Sequence, residues 1–308
     1  MPDFQDVIRT VEYRAAVELA LAEDRGLFRP LAMQSSDTGK AIEVTDRFSR
    51  LSFEKIETRG GKTEHTAPTV ERRWIKKQKR AGLAVLLDED DKLSTKVDAK
   101  SPIVMATADA ARQYHDIEWL LGFYGIAYVG EDGADTVAFK SANIIAADYI
   151  TPGTPSGLTY EKILQLQFLR KRRHARVKPG DGLHVAVTAY EMRDLFRIDK
   201  FINGDFRATK PLESGEMANF MGINWVPAEI DDATQYKAAA ALAVNGSGHR
   251  RLPCWLPSGM AYNTWLEFSG HQDIRADMNH DEQIAGYANG RATRTHEDKC
   301  FIIECAGS

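Results

Sequence analysis

Apolar positions change period several times along the chain, and those changes divide it into parts. From Ser101 to Tyr124 (SPIVMATADAARQYHDIEWLLGFY), Ile103, Thr107, Ala110, Tyr114, Ile117, Leu121 and Tyr124 recur at spacings of four and three, which makes one continuous helix face. Ser101 suits the N-cap and Pro102 the first helical position, where a missing N–H costs nothing. Gly125, just past the stripe, is a stop signal. Asp109, Arg112 and Asp116 fall off the stripe. The rod would be about 36 Å long, a spine on which a sheet can be laid.

Before the spine lie two segments that bury little by themselves. Residues 4–24 read as a short amphipathic helix through Phe4, Val7, Val11, Ala15 and Leu19, ending before Gly26 and Pro30. They suit an arm that packs on something else. Residues 40–80 read as a long hairpin, with β-like patches such as LSFEKI, a turn at Arg59-Gly60-Gly61-Lys62 and a second run, TVERRWIKKQ. In that run Val70, Arg72, Trp74 and Lys76 share one face, and Glu71, Arg73 and Lys77 charge the other. A ribbon polar on both sides has little to bury within its own chain. The reading is therefore a hairpin that finds its partner on a neighbouring subunit; the alternative is a solvated loop. An acidic turn, Asp88–Asp91, leads toward the spine.

After the spine, GIAYVGEDGADT reads as two short strands around a glycine-rich turn. A second helix spans 159–176, with Thr159 as N-cap and Ile163, Leu166, Gln167 and Leu169 facing inward, stopped at Pro179-Gly180. Leu183–Val187 alternates as a strand, and Thr188 caps a short helix, AYEMRDLFR. Phe220–Val226 reads as a strand, 238–243 as a short alanine helix and Gly246–Gly248 as a flexible tip. The tail is β-rich (CWLPSGMAYNTW, IAGYANGRATR, KCFIIEC), with Asn289-Gly290 a candidate hairpin turn.

Composition narrows the class. At 308 residues the chain makes one large domain or two of ordinary size. With 43% hydrophobic and 27% charged residues and no run of 18 apolar positions, it reads as globular and not membrane-spanning. The N-terminal stretch lacks a signal-peptide pattern. A net charge of −4 excludes a generally basic DNA-coating protein, though not a local basic face. Three cysteines (Cys254, Cys300, Cys305) are an odd, low count that suits a reducing compartment. Cys300 and Cys305 would point to opposite faces of one strand, as buried thiols rather than a clip.

Catalytic signatures are sought without success. Gly61-Lys62-Thr63 ends like a phosphate loop, but Ile56 stands where the leading glycine belongs; Gly39-Lys40 fails likewise, at Gln34 and Ala41. No dinucleotide fingerprint follows a strand. Ser258 lacks a nucleophile elbow, His184 in an alternating strand reads as structural, and nothing near Cys254 would lower its pKa. His271, Asp273, Asp277, His280, Asp281 and Glu282 are metal-ligand types at spacings that match no motif, so a solvated loop is the better reading. The basic run Arg170, Lys171, Arg172, Arg173 and Arg176 (with His174) either faces phosphates or an acidic patch on a neighbour, or simply complements a helix C-terminus.

The order of these pieces resembles a known family. Asp90-Asp91-Lys92, Lys96-Val97-Asp98 and Ser101-Pro102 lead into the long helix, which carries Arg112 and Asp116 and is followed by Gly125-Ile126-Ala127. Gly157-Leu158-Thr159 opens the second helix, then come Met221-Gly222-Ile223-Asn224, Ser258-Gly259-Met260 and Ala292-Thr293-Arg294 before a final apolar strand. This succession is similar to the major capsid proteins of tailed bacteriophages. The resemblance implies an α+β, Hong Kong 97-type fold with an N-terminal arm (1–37), an extended loop (38–98), a peripheral domain with the spine helix (99–154), an axial domain (155–255) and a β-rich return to the peripheral domain (256–308).

It further implies a shell subunit, not an enzyme, that forms pentamers and hexamers of an icosahedral head around double-stranded DNA. Such a subunit would reside in the virion and be assembled in the bacterial host cytoplasm. Its partners would be copies of itself, a separate scaffolding protein (the arm is too short to include one), a portal protein, a decoration protein and DNA held non-specifically, with no cofactor and no membrane. On this reading Arg59, Gly60, Gly61, Lys62, Arg72, Arg73, Trp74 and Lys76 contact a neighbouring subunit, and the 170–176 run faces DNA or a neighbour. Chain-to-chain isopeptide cross-linking is not supported. Two alternatives stand beside it: an encapsulin-like compartment shell, and a metal-dependent enzyme using His271, Asp273, Asp277 and His280.

Overall fold

In the computed structural model the described residues are 26–48, 70–87, 100–173, 175, 181–198, 221–278 and 281–306. The predicted arm helix, Arg59–Lys62, the Asp88–Asp91 turn, His174, Arg176, Pro179-Gly180, Phe220 and His280 lie outside them. In chain order the strands are β1 (Met33–Ser35), β2 (Ala41–Phe48), β3 (Val70–Lys76), β4 (Ala81–Leu87), β5 (Ala127–Val129), β6 (Asp135–Val137), β7 (Ile144–Ile145), β8 (Leu183–Val187), β9 (Ile223–Pro227), β10 (Arg250–Trp255), β11 (Met260–Arg275), β12 (Asp281–Arg294) and β13 (Cys300–Cys305). The helices are α1 (Lys100–Tyr124), α2 (Tyr160–Arg172), α3 (Ala189–Phe196), α4 (Ala233–Tyr236) and α5 (Ala238–Ala243).

The spine is α1. It begins at Lys100, so Ser101 and Pro102 lie in its first turn rather than capping it. It stops as expected, with the Gly125 N–H donating to the Leu121 carbonyl at 2.9 Å. Its buried face is rotated from the expected one. Ala108, Ala111, His115, Trp119 and Phe123 are buried, while Ala110, Tyr114, Ile117 and Leu121 are half-buried on the flank. Thr107 and Tyr124 of the expected stripe are buried as well, and the buried set mixes small and polar side chains (Ala108, Ala111, His115) with the large Trp119 and Phe123. Asp116, expected off the stripe, is 5% exposed and accepts the backbone N–H groups of Leu27 and Phe28, both at 3.1 Å. It ties the incoming chain to the spine.

A long four-stranded sheet, β1-β11-β12-β4, lies against α1. β11 and β12 form its antiparallel hairpin, with β1 parallel to β11 and β4 antiparallel to β12. Asn289-Gly290 does not turn this hairpin. Gly290 sits inside β12, paired with Thr264, and a Cβ there would come within 2.2 Å of the Tyr262 hydroxyl. The glycine makes room for a side chain under the spine.

The second sheet runs β7-β13-β10-β8-β9. Arg250 and Trp255 are an odd number of residues apart in β10 and so point to opposite faces. On the Trp255 side lie Trp119 of α1, Phe28 and, through Phe28, Tyr236 of α4; on the Arg250 side lie Glu191 of α3 and the α2 helix with Lys162. Both faces are covered, so β8 is buried at every position and β13 at all but Glu304. Cys254, Cys300 and Cys305 are buried free thiols, with burial pushing the pKa of each up. The last strand pairs with β10 and, in parallel, with β7.

α2 starts at Tyr160 with Thr159 as its N-cap, and its last helical residue is Arg172. α3 begins after Thr188, whose backbone N–H donates to Glu191 Oε2 at 3.2 Å, half of a capping box. Among the described residues no helix is long and apolar enough to cross a membrane.

Candidate assembly surface

The expected hairpin is present as β2 and β3, and the third sheet, β2-β3-β5-β6, anchors its base. Arg73 is 1% exposed. Its guanidinium donates to Glu71 at 2.7 Å and to Glu297 at 3.3 Å. Glu297 also takes two bonds from Arg294 Nε, at 3.1 and 3.0 Å. Arg294, fully buried, donates through Nη1 to the carbonyls of Phe123 and Gly125 and through Nη2 to that of Val137. It thereby satisfies the open carbonyl end of α1 with a cation, where the helix dipole favours one. One carboxylate and two arginines thus join the hairpin base, the end of β12, the spine terminus and the turn before β13.

This corrects the reading of a ribbon with nothing of its own to bury. Ile75 is 1% exposed, the Trp74 indole N–H donates to the Gly130 carbonyl at 2.8 Å, and Lys76 Nζ sits 4.3 Å from the Tyr128 ring centroid. Gly133 has φ +66°, and a Cβ there would lie 2.9 Å from Trp74 Cγ, so the turn must be glycine both for its backbone and for the indole. Arg73 is therefore bonded within its own chain, as an anchor for the hairpin base. Arg72 stays on the surface, 3.5 Å from Glu43. Local alternation shows charge on both faces of β3; it cannot show that Glu297, 224 residues on, neutralises one of them.

The other candidates resolve as structural groups. His271 lies 3.2 Å from the Ser269 hydroxyl, Asp277 pairs with Arg275, and Asp281 and Glu282 are buried at the start of β12. Among the described residues no three His, Cys, Asp or Glu side chains gather as metal ligands. His184 stacks on Trp255 with ring centroids 5.6 Å apart, and burial pulls its pKa down. Ser258 donates to Asp181 at 2.5 Å and accepts from Lys299 Nζ at 2.6 Å, a knot between the approach to β8 and the turn before β13. In the basic run, Lys171 and Arg172 are exposed while Arg170 and Arg173 are half-buried.

Sequence reasoning missed Lys162. It is fully buried and donates to the carbonyls of Ser156 and Glu304 at 2.8 and 2.9 Å, with desolvation lowering its pKa. A lysine in the first helical turn normally reads as solvated, and no local signal marks this one.

Beneath α1 lies a titratable cluster. The Tyr262 hydroxyl donates to His115 Nδ1 at 2.6 Å, and Nε2 donates to the Glu267 carbonyl at 3.3 Å. The imidazole is thus neutral, its pKa drawn down to about 4, first by burial and then by Arg29. Glu118 is 7% exposed, has no hydrogen-bond partner for Oε2 among the described residues, and is pushed up to about 7 by burial. The folded chain keeps this proton to about pH 7, whereas the unfolded chain releases it near 4.5. Stability contributed by Glu118 therefore falls as pH rises from 4.5 to 7, then levels. Glu118→Gln is expected to be neutral at pH 4 and to stabilise the subunit by about 2 kcal/mol at pH 8, read by urea unfolding at both values. His115 acts with the opposite sign below 6.5 but is common to both proteins and cancels in the difference.

A family model described as phage capsid protein matches residues 8–307. No curated protein matches the chain. Among solved structures, the capsid asymmetric unit of cyanophage Pam1 superposes with a TM-score of 0.67 at 13% identity, covering 92% of this chain and 93% of that one. The mature capsid of bacteriophage PhiM1 gives 0.61 at 12% identity, covering 92% and 88%. The capsid of a native GTA particle gives 0.60 at 10% identity, covering 91% and 90%. At such identities the likeness is one of fold.

Proposed function

Because the chain belongs to the phage capsid protein family, a family of structural proteins, and is a major capsid protein with the Hong Kong 97-type α+β fold, we propose that its copies close into pentamers and hexamers of an icosahedral head around double-stranded DNA. Self-association into the capsid of a virion follows from the family. The ring sizes, the DNA, a separate scaffolding protein, a portal, a decoration protein and assembly in the host cytoplasm are parts of the proposal. So is the division into arm (1–37), extended loop (38–98), peripheral domain (99–154), axial domain (155–255) and β-rich return to the peripheral domain (256–308).

The observation that carries the reading is the anchored base of the hairpin. Arg73, Trp74 and Ile75 hold β3 rigidly against the spine end, and residues 49–69 continue the chain between β2 and β3. A hairpin whose base is fixed suits contact with a neighbour, because a fixed base lowers the ordering cost of each contact. Many modest contacts per subunit then sum through multivalency.

The test is to express the protein with its scaffold and image it by electron microscopy, beside a form in which residues 49–69 are replaced by a short Gly-Ser linker. The shortened chain keeps the Arg73 and Trp74 anchors. It is expected to fold, with circular dichroism and unfolding like the parent's, and to form no shells. Shells from the shortened chain would remove the hairpin from assembly, and a parent that stays monomeric with scaffold would defeat the shell reading. An enzyme co-purifying in place of nucleic acid would mark a protein-filled compartment.

A further inference from the structure

Two Asn-Gly pairs lie among the described residues, Asn245-Gly246 and Asn289-Gly290. As sequence they are alike. In such a pair the glycine nitrogen, with no side chain beside it, can approach the asparagine side-chain carbon closely. The fold treats the two very differently. Asn245 opens the exposed tip between α5 and β10, which the bridge of Val244 to Arg250 closes at its base. Its side-chain oxygen Oδ1 accepts the backbone N–H groups of Ser247 and His249, both at 2.9 Å, the local bonding that suits asparagine to turns. Two donors on one carbonyl oxygen draw charge from its carbon and stabilise the oxyanion that forms when that carbon is attacked. The Gly246 N–H has no hydrogen-bond partner among the described residues. A Cβ at Gly246 would meet nothing within 4 Å, and Gly246 and Ser247 are exposed to water.

At Asn289 each of these conditions is reversed. The residue is 3% exposed, its amide donates to the Gln78 carbonyl at 3.0 Å, and its Oδ1 has no donor among the described residues. Gly290 is held in β12 opposite Thr264, packed against Tyr262. We infer that Asn245 is a site of self-modification, at which the Gly246 nitrogen attacks Asn245 Cγ and the side-chain amide is lost as ammonia. The Gly246 nitrogen gives its proton to solvent base and bonds to Cγ. The bond from Cγ to Nδ2 breaks, and Nδ2 leaves as ammonia with a proton from water. A second water opens the cyclic imide, at Cγ to give aspartate or at the main-chain carbonyl to give isoaspartate. The net change is one water in and one ammonia out, with no oxidant or reductant. Either product puts a negative charge on the tip, and isoaspartate also lengthens the loop closed by Val244 and Arg250. The site is independent of the assembly reading.

The test incubates the purified full chain at acid and at mildly basic pH, folded and in urea, and maps its peptides by mass spectrometry. In the folded chain the Asn245 peptide is expected to gain the mass of an amide-to-acid exchange and to split into aspartate and isoaspartate forms. The change is expected to run faster at basic pH, where the attacking nitrogen loses its proton more readily. The Asn289 peptide is expected to stay intact until urea unfolds the chain. Gly246→Ala, with open space around it, is expected to unfold like the parent and to slow the change about tenfold or more, because the added methyl group hinders close approach. If Asn245 stays as intact as Asn289 in the folded chain, or if both convert there equally, the assignment is overturned. Aspartate without isoaspartate would show water attacking the amide directly and would remove the Gly246 step.

Discussion

Arg294→Leu is expected to cost the subunit about 3–5 kcal/mol, the range for removing one partner from a buried ion network. The size comes from what the guanidinium holds. It donates to both oxygens of Glu297 and to carbonyls at the end of α1 and in β6, at 0% exposure. Leucine ends where the arginine's Cδ does, so it would satisfy none of them and leave the guanidinium site empty. Glu297 would keep only Arg73, at 3.3 Å, and the spine would end in uncapped buried carbonyls. Urea unfolding of the unassembled subunit measures this as a fall in midpoint at constant slope. Lys140→Ala, which removes the more exposed pair with Asp298 at 3.0 Å, is expected to cost at most about 1 kcal/mol and serves as the comparison. Equal effects from the two would show that the buried network is not what joins the hairpin base to the spine.

Gly122→Ala is expected to destabilise the subunit by about 3 kcal/mol, the upper part of the range for an overpacked core. Helix propensity alone predicts the reverse, a gain of about 1 kcal/mol from removing glycine inside a helix. The packing decides the sign. A Cβ at Gly122 would stand 2.4 Å from the Ala292 carbonyl oxygen and 2.6 Å from its carbon. These are backbone atoms of β12, held in register against Tyr262 of β11, so they cannot swing aside. The helix would have to lift from the sheet along its length. Gly246→Ala, with open space around it, is expected to change stability by no more than about 0.5 kcal/mol. A Gly122→Ala subunit that unfolds at higher urea than the parent would show that the spine does not lie so close to the sheet.

These two residues show where sequence reading stops. Glycine at 122 reads as a weak point in a helix, and Arg294 as one more cation near a strand end. Each acquires its role from a backbone or a carboxylate that arrives from elsewhere in the chain. The same holds for Asp116, placed off the helix stripe by periodicity yet buried against Leu27 and Phe28, and for Arg73, placed on a neighbour by alternation yet bonded to Glu297. Of the residues read as neighbour contacts, Arg73 is bonded within its own chain and Arg72 remains at the surface. Exposure of a side chain is a property of what fails to cover it, and no local spacing reports that.

What the sequence determined by itself is the order and type of elements. Period-four-and-three spacing set the spine, and glycine after it set the stop. Thr159 and Thr188 stood at the starts of α2 and α3, and the segments of β8 and β13 read as strands, though β8 proves buried at every position rather than alternating. These are local effects, carried by backbone dihedrals and hydrogen bonds within a few residues. The succession of elements was enough to suggest the family. The tertiary structure decided which face of the spine is buried, that Gly290 lies within a strand rather than at a turn, that β13 lies between β7 and β10 in the second sheet, and that the hairpin is anchored at its base. Each of these depends on residues far apart in the chain meeting in space, where desolvation and close packing, rather than local propensity, set the free energy.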